Sequence, residues 1–305
     1  MRAARASVFV KITYKSRFLT WGEVWYDNEW EQTPVDCLIY LQRSAPIPGA
    51  KGRELLIYLI DLQQEIERLK ANLKGDTWRK IRRAGEQDKI VIEHLDSKNR
   101  KVLDRFEQFY NGFAAQKGMN PIQRWRLEGL AAAGVLDLSA AKDPNGETLV
   151  YHVNYRDDQH ASGINSVSLF RNYADSAFRN MIGRANCYLT WSDFLRYKKQ
   201  GLKSFDFGGW YQGNDPTMLS INRFKTNFGG HVMRKYECLR ILTLKGWIVL
   251  KLAQWFGSRK SIQYRPDIQM PKSPEIIADF LVQQADGMAP PYDCPVEIAG
   301  TKATT

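Results

Sequence analysis

Three short stretches near the start of the chain carry the pattern of strands. Residues 8–14 alternate β-branched and charged side chains, and residues 35–41 and 55–59 are brief apolar runs. A Pro46-Ile47-Pro48-Gly49 turn precedes the third run. After Asp61 the period changes: Leu62, Ile66, Leu69 and Leu73 recur at helical spacing, with Glu65, Glu67, Arg68 and Lys70 between them. Gly75-Asp76-Thr77 interrupts that helix. A second is predicted over 77–87, capped by Asp76 or Thr77, with Trp78, Ile81 and Ala84 on one side.

Further on, the pattern predicts a strand at 90–93, a helix over 99–117, and another over 125–133 that stops at Gly134. Three strands follow, at 135–138, 148–155 and 160–169, the first two joined by the hairpin turn Pro144-Asn145-Gly146. A long helix is expected over 174–200 with a break near Gly183. It gives way to a strand at 204–207, a Gly208-Gly209 loop, a helix at 218–227, a strand at 231–243 and a small helix at 247–256. Half of the 12 prolines lie beyond Ser258, which predicts a tail whose only helical stretch is 275–284. This order implies an α+β fold with helices on both sides of a mixed sheet. The chain also leaves strands for helices at Leu169 and Phe207, which suits a cleft.

Composition narrows the picture. With 305 residues and 44% hydrophobic content, the chain can bury a large core and make two units, or one with an appendage. The pattern divides it into a β-rich portion at 1–60, a main domain at 61–245, and a C-terminal helix and proline-containing tail at 246–305. A net charge of +11 excludes an acidic solvating protein and admits nucleic acid, a phosphorylated ligand, an anionic polysaccharide or a membrane surface as partner. Cys37, Cys187, Cys238 and Cys294 lie far apart, so neither a disulfide framework nor a metal site is expected, and a reducing cytoplasm fits best. No apolar run reaches the ~20 residues a membrane span requires. Residues 247–256, flanked by Lys245, Lys251, Arg259 and Lys260, are apolar enough for peripheral membrane contact.

Three segments carry candidate chemistry. In the first, Lys74, Arg79, Lys80, Arg82 and Arg83 crowd one short helix, a pattern suited to phosphate oxygens or to a solvated face. In the second, Ser204 to Trp210 ends a strand on two glycines, where backbone can approach a ligand closely. The helix after it is expected to aim its N-terminal amides at the same mouth. Lys225, between Phe224 and Phe228, is either a partly desolvated ammonium placed to stabilise developing negative charge or a lysine that snorkels outward from a core. Asp206 is placed to accept a proton, orient an amine, or cap the glycine turn. The third segment sets small polar residues at 161–166 ahead of 182–191. His160 is the best placed of the four histidines.

Four motifs in order, Asn72 to Ala84, Gly183-x-Ala-Asn-x-x-Leu-x-Trp191, Asp206-x-Gly-Gly209 and Phe224-Lys-x-x-Phe-Gly229, resemble the Fem-type aminoacyltransferases of the GNAT acyltransferase superfamily. The resemblance covers roughly residues 59–241. It implies a GNAT-like, mostly antiparallel mixed sheet flanked by helices, with a truncated N-terminal β-rich subdomain. It also implies acyl or aminoacyl transfer from an activated donor to an amine of a cell-envelope, polysaccharide or secondary-metabolite acceptor. Aminoacyl-tRNA is the favoured donor and acyl-CoA the other, each as co-substrate rather than as a tightly bound cofactor. Lys225 and Asp206 would be the catalytic pair, with Arg79, Arg83, Asn186, Trp191, Gly208, Gly209 and Phe224 on the substrates. Acyl-CoA enzymes of the superfamily hold pyrophosphate on a glycine-rich helix start. Arg179 to Ala185 stands at that place here, with one residue too many before Gly183. The competing expectation is a non-catalytic module that binds RNA or polysaccharide through its basic surface.

Overall fold

The computed structural model describes residues 9–10, 12–16, 18–168, 170 and 174–257. The helix expected at 275–284 lies outside them. The chain opens with β1 (Phe9–Val10), β2 (Ile12–Lys15), β3 (Thr20–Trp25), β4 (Glu29–Trp30), β5 (Cys37–Arg43) and β6 (Lys51–Asp61). Helices α1 (Ile66–Ala71) and α2 (Thr77–Glu86) follow, then β7 (Val91–Leu95), α3 (Arg100–Lys117) and α4 (Arg124–Ala132). The meander β8 (Leu136–Lys142), β9 (Thr148–Arg156) and β10 (His160–Ser168) leads to the long α5 (Ser176–Lys199). Last come β11 (Ser204–Gly209), α6 (Pro216–Thr226), β12 (His231–Ile241) and α7 (Leu244–Gly257).

Ten strands form one sheet in the order β2-β3-β5-β12-β6-β11-β10-β9-β8-β7, while β1 and β4 pair separately. Within the large sheet only β3–β5 and β10–β11 run parallel. The result is an α+β mixed sheet flanked by helices, as the patterning predicts, and it is mostly antiparallel, as the resemblance implies. Strand β3 escapes the pattern because Trp21 to Trp25 are all buried, so its sequence shows no in–out alternation. Helix α5 runs unbroken through Gly183. A single glycine costs only ~1 kcal/mol in a helix, and α5 buries side chains on both sides of it, among them Ile182, Ala185, Leu189 and Phe194.

The sheet curls back on itself. Trp25, at the end of β3, stacks at 4.4 Å on Tyr155 of β9, although five strands separate β3 from β9 in the sheet. Ile12, Tyr14 and Trp25 therefore share a core with Phe106 of α3, Leu127 of α4 and Val153 of β9. A buried ion pair ties the curl together. The carboxylate of Glu23 accepts from Arg126 Nε at 2.9 Å and Nη2 at 2.8 Å, from the Tyr14 hydroxyl at 2.8 Å and from Trp25 Nε1 at 2.6 Å.

A tight turn joins α6 to β12. Gly229 has φ +66°, and a Cβ there would lie 2.5 Å from Asn72 Cβ and 2.7 Å from the Asn72 carbonyl oxygen. The amide of Lys74 bonds to the Asn227 carbonyl at 2.9 Å, so the connection between α1 and α2 rests directly on this turn. Gly229→Ala should lower stability by about 2 kcal/mol, from left-handed backbone strain and overpacking together, read as a fall in the urea midpoint at constant slope.

Candidate active site

Strands β10 and β11 are paired over three positions only: His160 with Ser204, Ala161 with Phe205, and Ser162 with Asp206. Just beyond, both strands become irregular. β10 shifts register against β9 between Gly163 and Asn165, and β11 shifts against β6 between Asp206 and Gly209. Bulges of this kind bend strands and end regular pairing, and the parallel ladder stops here, although Gly163 and Gly208 still lie side by side. Gly208, at φ +77°, turns its amide onto Asp206 Oδ1 at 2.7 Å. A side chain there would be strained by the backbone conformation, which accounts for glycine.

Asp206 is fully buried, and the Ser162 hydroxyl donates to its Oδ2 at 3.2 Å. Burial pushes its carboxyl up to about 6, opposed by the Gly208 amide, the charge of Lys225 and the Ser162 hydroxyl. Lys225 is 2% exposed and does not snorkel. Its Nζ donates to the Gly208 carbonyl at 3.5 Å and, more closely, to that of Gly209. Burial pushes the ammonium down to about 8, opposed by Asp206. Between those two values both groups carry their charges, in surroundings where charge acts strongly.

The wall behind the lysine is aromatic. Phe224 and Phe228 pack on Phe207 of β11 at centroid distances of 6.3 and 5.6 Å, and Tyr58 stacks on Trp210 at 5.2 Å. Asn222 donates to the Tyr211 carbonyl at 2.7 Å and accepts its amide at 3.2 Å, fastening the loop after β11 to α6. The orientation of α6 corrects the sequence-based expectation. Its start is capped by Asp215, which accepts the Met218 amide at 2.9 Å, and its last turn brings Lys225 to the glycines. The negative end of the helix there favours a cation.

Tyr26 closes the other side and was invisible in the sequence. It holds φ +55°, its ring lies 4.4 Å from that of His160, and its hydroxyl donates to the Ala161 carbonyl at 3.2 Å. Burial, then the charges of Asp206 and Asp157, push this phenol well above its ordinary value. Only the curl of the sheet brings it here. His160 bonds through Nδ1 to Ser204 Oγ at 2.8 Å, two pairs along the strands from Ser162 and Asp206.

Asp206, Gly208, Gly209, Phe224 and Lys225 thus gather where the parallel pair of β10 and β11 ends. Asn186 and Trp191 lie on the buried face of α5: Asn186 Oδ1 meets His152 Nε2 at 2.8 Å, and Trp191 packs edge-on to Trp78 at 5.8 Å. His152 in turn meets Asp193 at 2.9 Å, and Asp193 accepts Ser139 Oγ at 3.0 Å. Arg79 and Arg83 stand exposed on α2, paired with Asp76 at 2.9 Å and Asp88 at 3.9 Å. The Arg179–Ala185 run lies inside α5 rather than at its start, where the Asp175 carboxylate takes the amides of Ala177 and Phe178 at 3.0 and 3.2 Å. A glycine-rich phosphate loop is therefore not formed by that run.

A mostly antiparallel mixed sheet with helices on its faces and a short parallel pair at β10–β11 is a fold the chain shares with solved structures. Among solved structures, the chain is similar to FemX at a TM-score of 0.50 and 13% identity, over 65% of this chain and 63% of that one. The chain thus spans less than two thirds of the length of FemX. The C-terminal domain of a putative lysylphosphatidylglycerol synthetase from Agrobacterium fabrum overlaps at 0.44, with 12% identity over 71% and 72% of the chains. The lysylphosphatidylglycerol synthetase L-PGS of Bacillus licheniformis overlaps at 0.43, with 15% identity over 73% and 74%. No protein-family model and no curated protein matches the sequence.

Proposed function

We propose that the chain forms amide bonds by acyl or aminoacyl transfer where the parallel pair of β10 and β11 ends. The observation that carries this reading is Lys225, buried with its Nζ on the carbonyls of Gly208 and Gly209 beside the buried Asp206. The amine of the acceptor attacks the ester or thioester carbonyl of the donor, and a C–N bond forms. Lys225 stabilises the tetrahedral oxyanion, while Asp206 takes a proton from the attacking nitrogen and passes it to the leaving oxygen or sulfur as that bond breaks. Aminolysis of an activated ester runs downhill, so positioning and charge suffice without a covalent intermediate.

Aminoacyl-tRNA is favoured as donor over acyl-CoA. The carboxylate cap on α5 occupies the amides that would otherwise hold a pyrophosphate. The acceptor is an amine of a cell-envelope, polysaccharide or secondary-metabolite molecule. The test is to mix the full chain with aminoacyl-tRNAs and with acyl-CoAs, each with a panel of amines, and to follow donor loss and amide by mass spectrometry. Amine-dependent consumption of charged tRNA is expected. Retention of tRNA with no consumption of any donor overturns the reading in favour of a binding module. The pair Asp206 and Lys225 further predicts a bell-shaped rate profile. The rate rises through about 6 as Asp206 ionises and falls through about 8 as Lys225 loses its proton.

A further inference from the structure

Helix α7 is apolar on two opposite sides. One side packs inward: Gly246, Val249 and Leu250 turn to the sheet, and a Cβ on Gly246 would come 2.8 Å from the Asp36 carbonyl oxygen. The other side carries Leu244, Trp247, Ile248 and Leu252 into solvent, at 72, 50, 42 and 49% exposure. A soluble helix ordinarily turns polar residues outward, so this stripe calls for a partner. The helix is also firmly anchored. Asp36 accepts Thr243 Oγ1 and Lys245 Nζ, each at 2.7 Å, and its backbone carbonyl accepts the Leu242 amide at 2.8 Å.

We infer that this face docks the protein on an anionic lipid bilayer. From Arg240 to Gly257 the sequence carries three cations, Arg240, Lys245 and Lys251, and no acidic residue. Lys251 sits within the apolar stripe, its Nζ 5.9 Å from the Trp247 ring centroid. At a bilayer surface that ammonium reaches lipid phosphates while its stem and the neighbouring side chains enter the acyl boundary. A second copy meeting the same face about a two-fold axis would bring two such lysines together with no carboxylate from the helix to neutralise them. Trp247 is the residue type that settles at the headgroup level. The 14 described residues of α7 are too few to cross a bilayer, and in the proposed docking they lie along it.

The inference does not depend on transferase activity. Its test is co-sedimentation of the full chain with vesicles of equimolar phosphatidylglycerol and phosphatidylcholine, and with vesicles of phosphatidylcholine alone. Binding is expected to be strong to the first and weak to the second. Ile248→Gln with Leu252→Gln should reduce partitioning by about tenfold, and Lys251→Gln by a few-fold on anionic vesicles only, with circular dichroism and thermal midpoint unchanged. Three results overturn it: no binding by the parent chain, binding indifferent to the Ile248→Gln/Leu252→Gln change, or a lipid-free dimer that this change dissociates.

Discussion

Under the proposed mechanism, Lys225→Met is expected to lower turnover by ~10²–10³-fold and to leave the fold standing. Methionine is accommodated in the buried surroundings of Lys225 but cannot donate, so in the proposed mechanism the oxyanion would lose a positioned N–H and a charge held in dry surroundings. Stability changes little at neutral pH because two effects oppose. The Gly208 and Gly209 carbonyls lose their donor, while the cost of burying an ammonium disappears. The sign of that cost is set by its direction of titration. The folded-state pKa of Lys225 is depressed to about 8, so the stability tied to this group is present above the unfolded value and is lost as pH falls toward 8. The variant should lack that segment of the stability–pH curve. Single-turnover rates with the donor identified by mass spectrometry, beside urea denaturation at several pH values, measure both. Near-parental turnover removes Lys225 from the mechanism.

Arg126→Met is expected to cost about 3–5 kcal/mol, because it leaves the carboxylate of Glu23 buried without its cation. The hydroxyl of Tyr14 and the indole of Trp25 still donate to Glu23, but neither carries charge. Adding Glu23→Gln to the Arg126→Met chain should recover part of the loss, since the uncompensated charge goes with it. The effect should also reach the end of the β10–β11 pair. Arg126 and Glu23 hold β3 to α4, and the residues after Glu23 lead to Trp25 on Tyr155 and Tyr26 on His160. Chemical denaturation of the single and double variants gives the coupling. A loss under 1 kcal/mol for Arg126→Met would mean that the pair is not a structural tie.

Most strands and helices were legible because their signal is local. The Pro144-Asn145-Gly146 turn reports directly on backbone geometry, whereas the helical period at Leu62 to Leu73 marks a helix that spans only Ile66–Ala71, Leu62 lying in a turn before it. The motif around Lys225 was legible as well, but its sense was ambiguous. A lysine between two phenylalanines fits a snorkelling side chain as well as a buried ammonium. The difference depends on whether β11 presents carbonyls to Nζ. Strand β3 and Tyr26 left no such trace. A strand buried on both faces has no alternation, and Tyr26 meets His160 across 134 positions of sequence.

The order of elements from β6 onward, the mixed sheet, the positions of the glycine turns and the residue types around Lys225 follow from the sequence, because each depends on side-chain period or on backbone freedom within a few residues. Tertiary structure alone decided how the ten strands curl, which end of α6 meets Gly208 and Gly209, and which cations are already paired. It also decided which of the two apolar sides of α7 packs inward and which faces outward. These are matters of contact between distant segments, where burial and opposing charge outweigh any local preference.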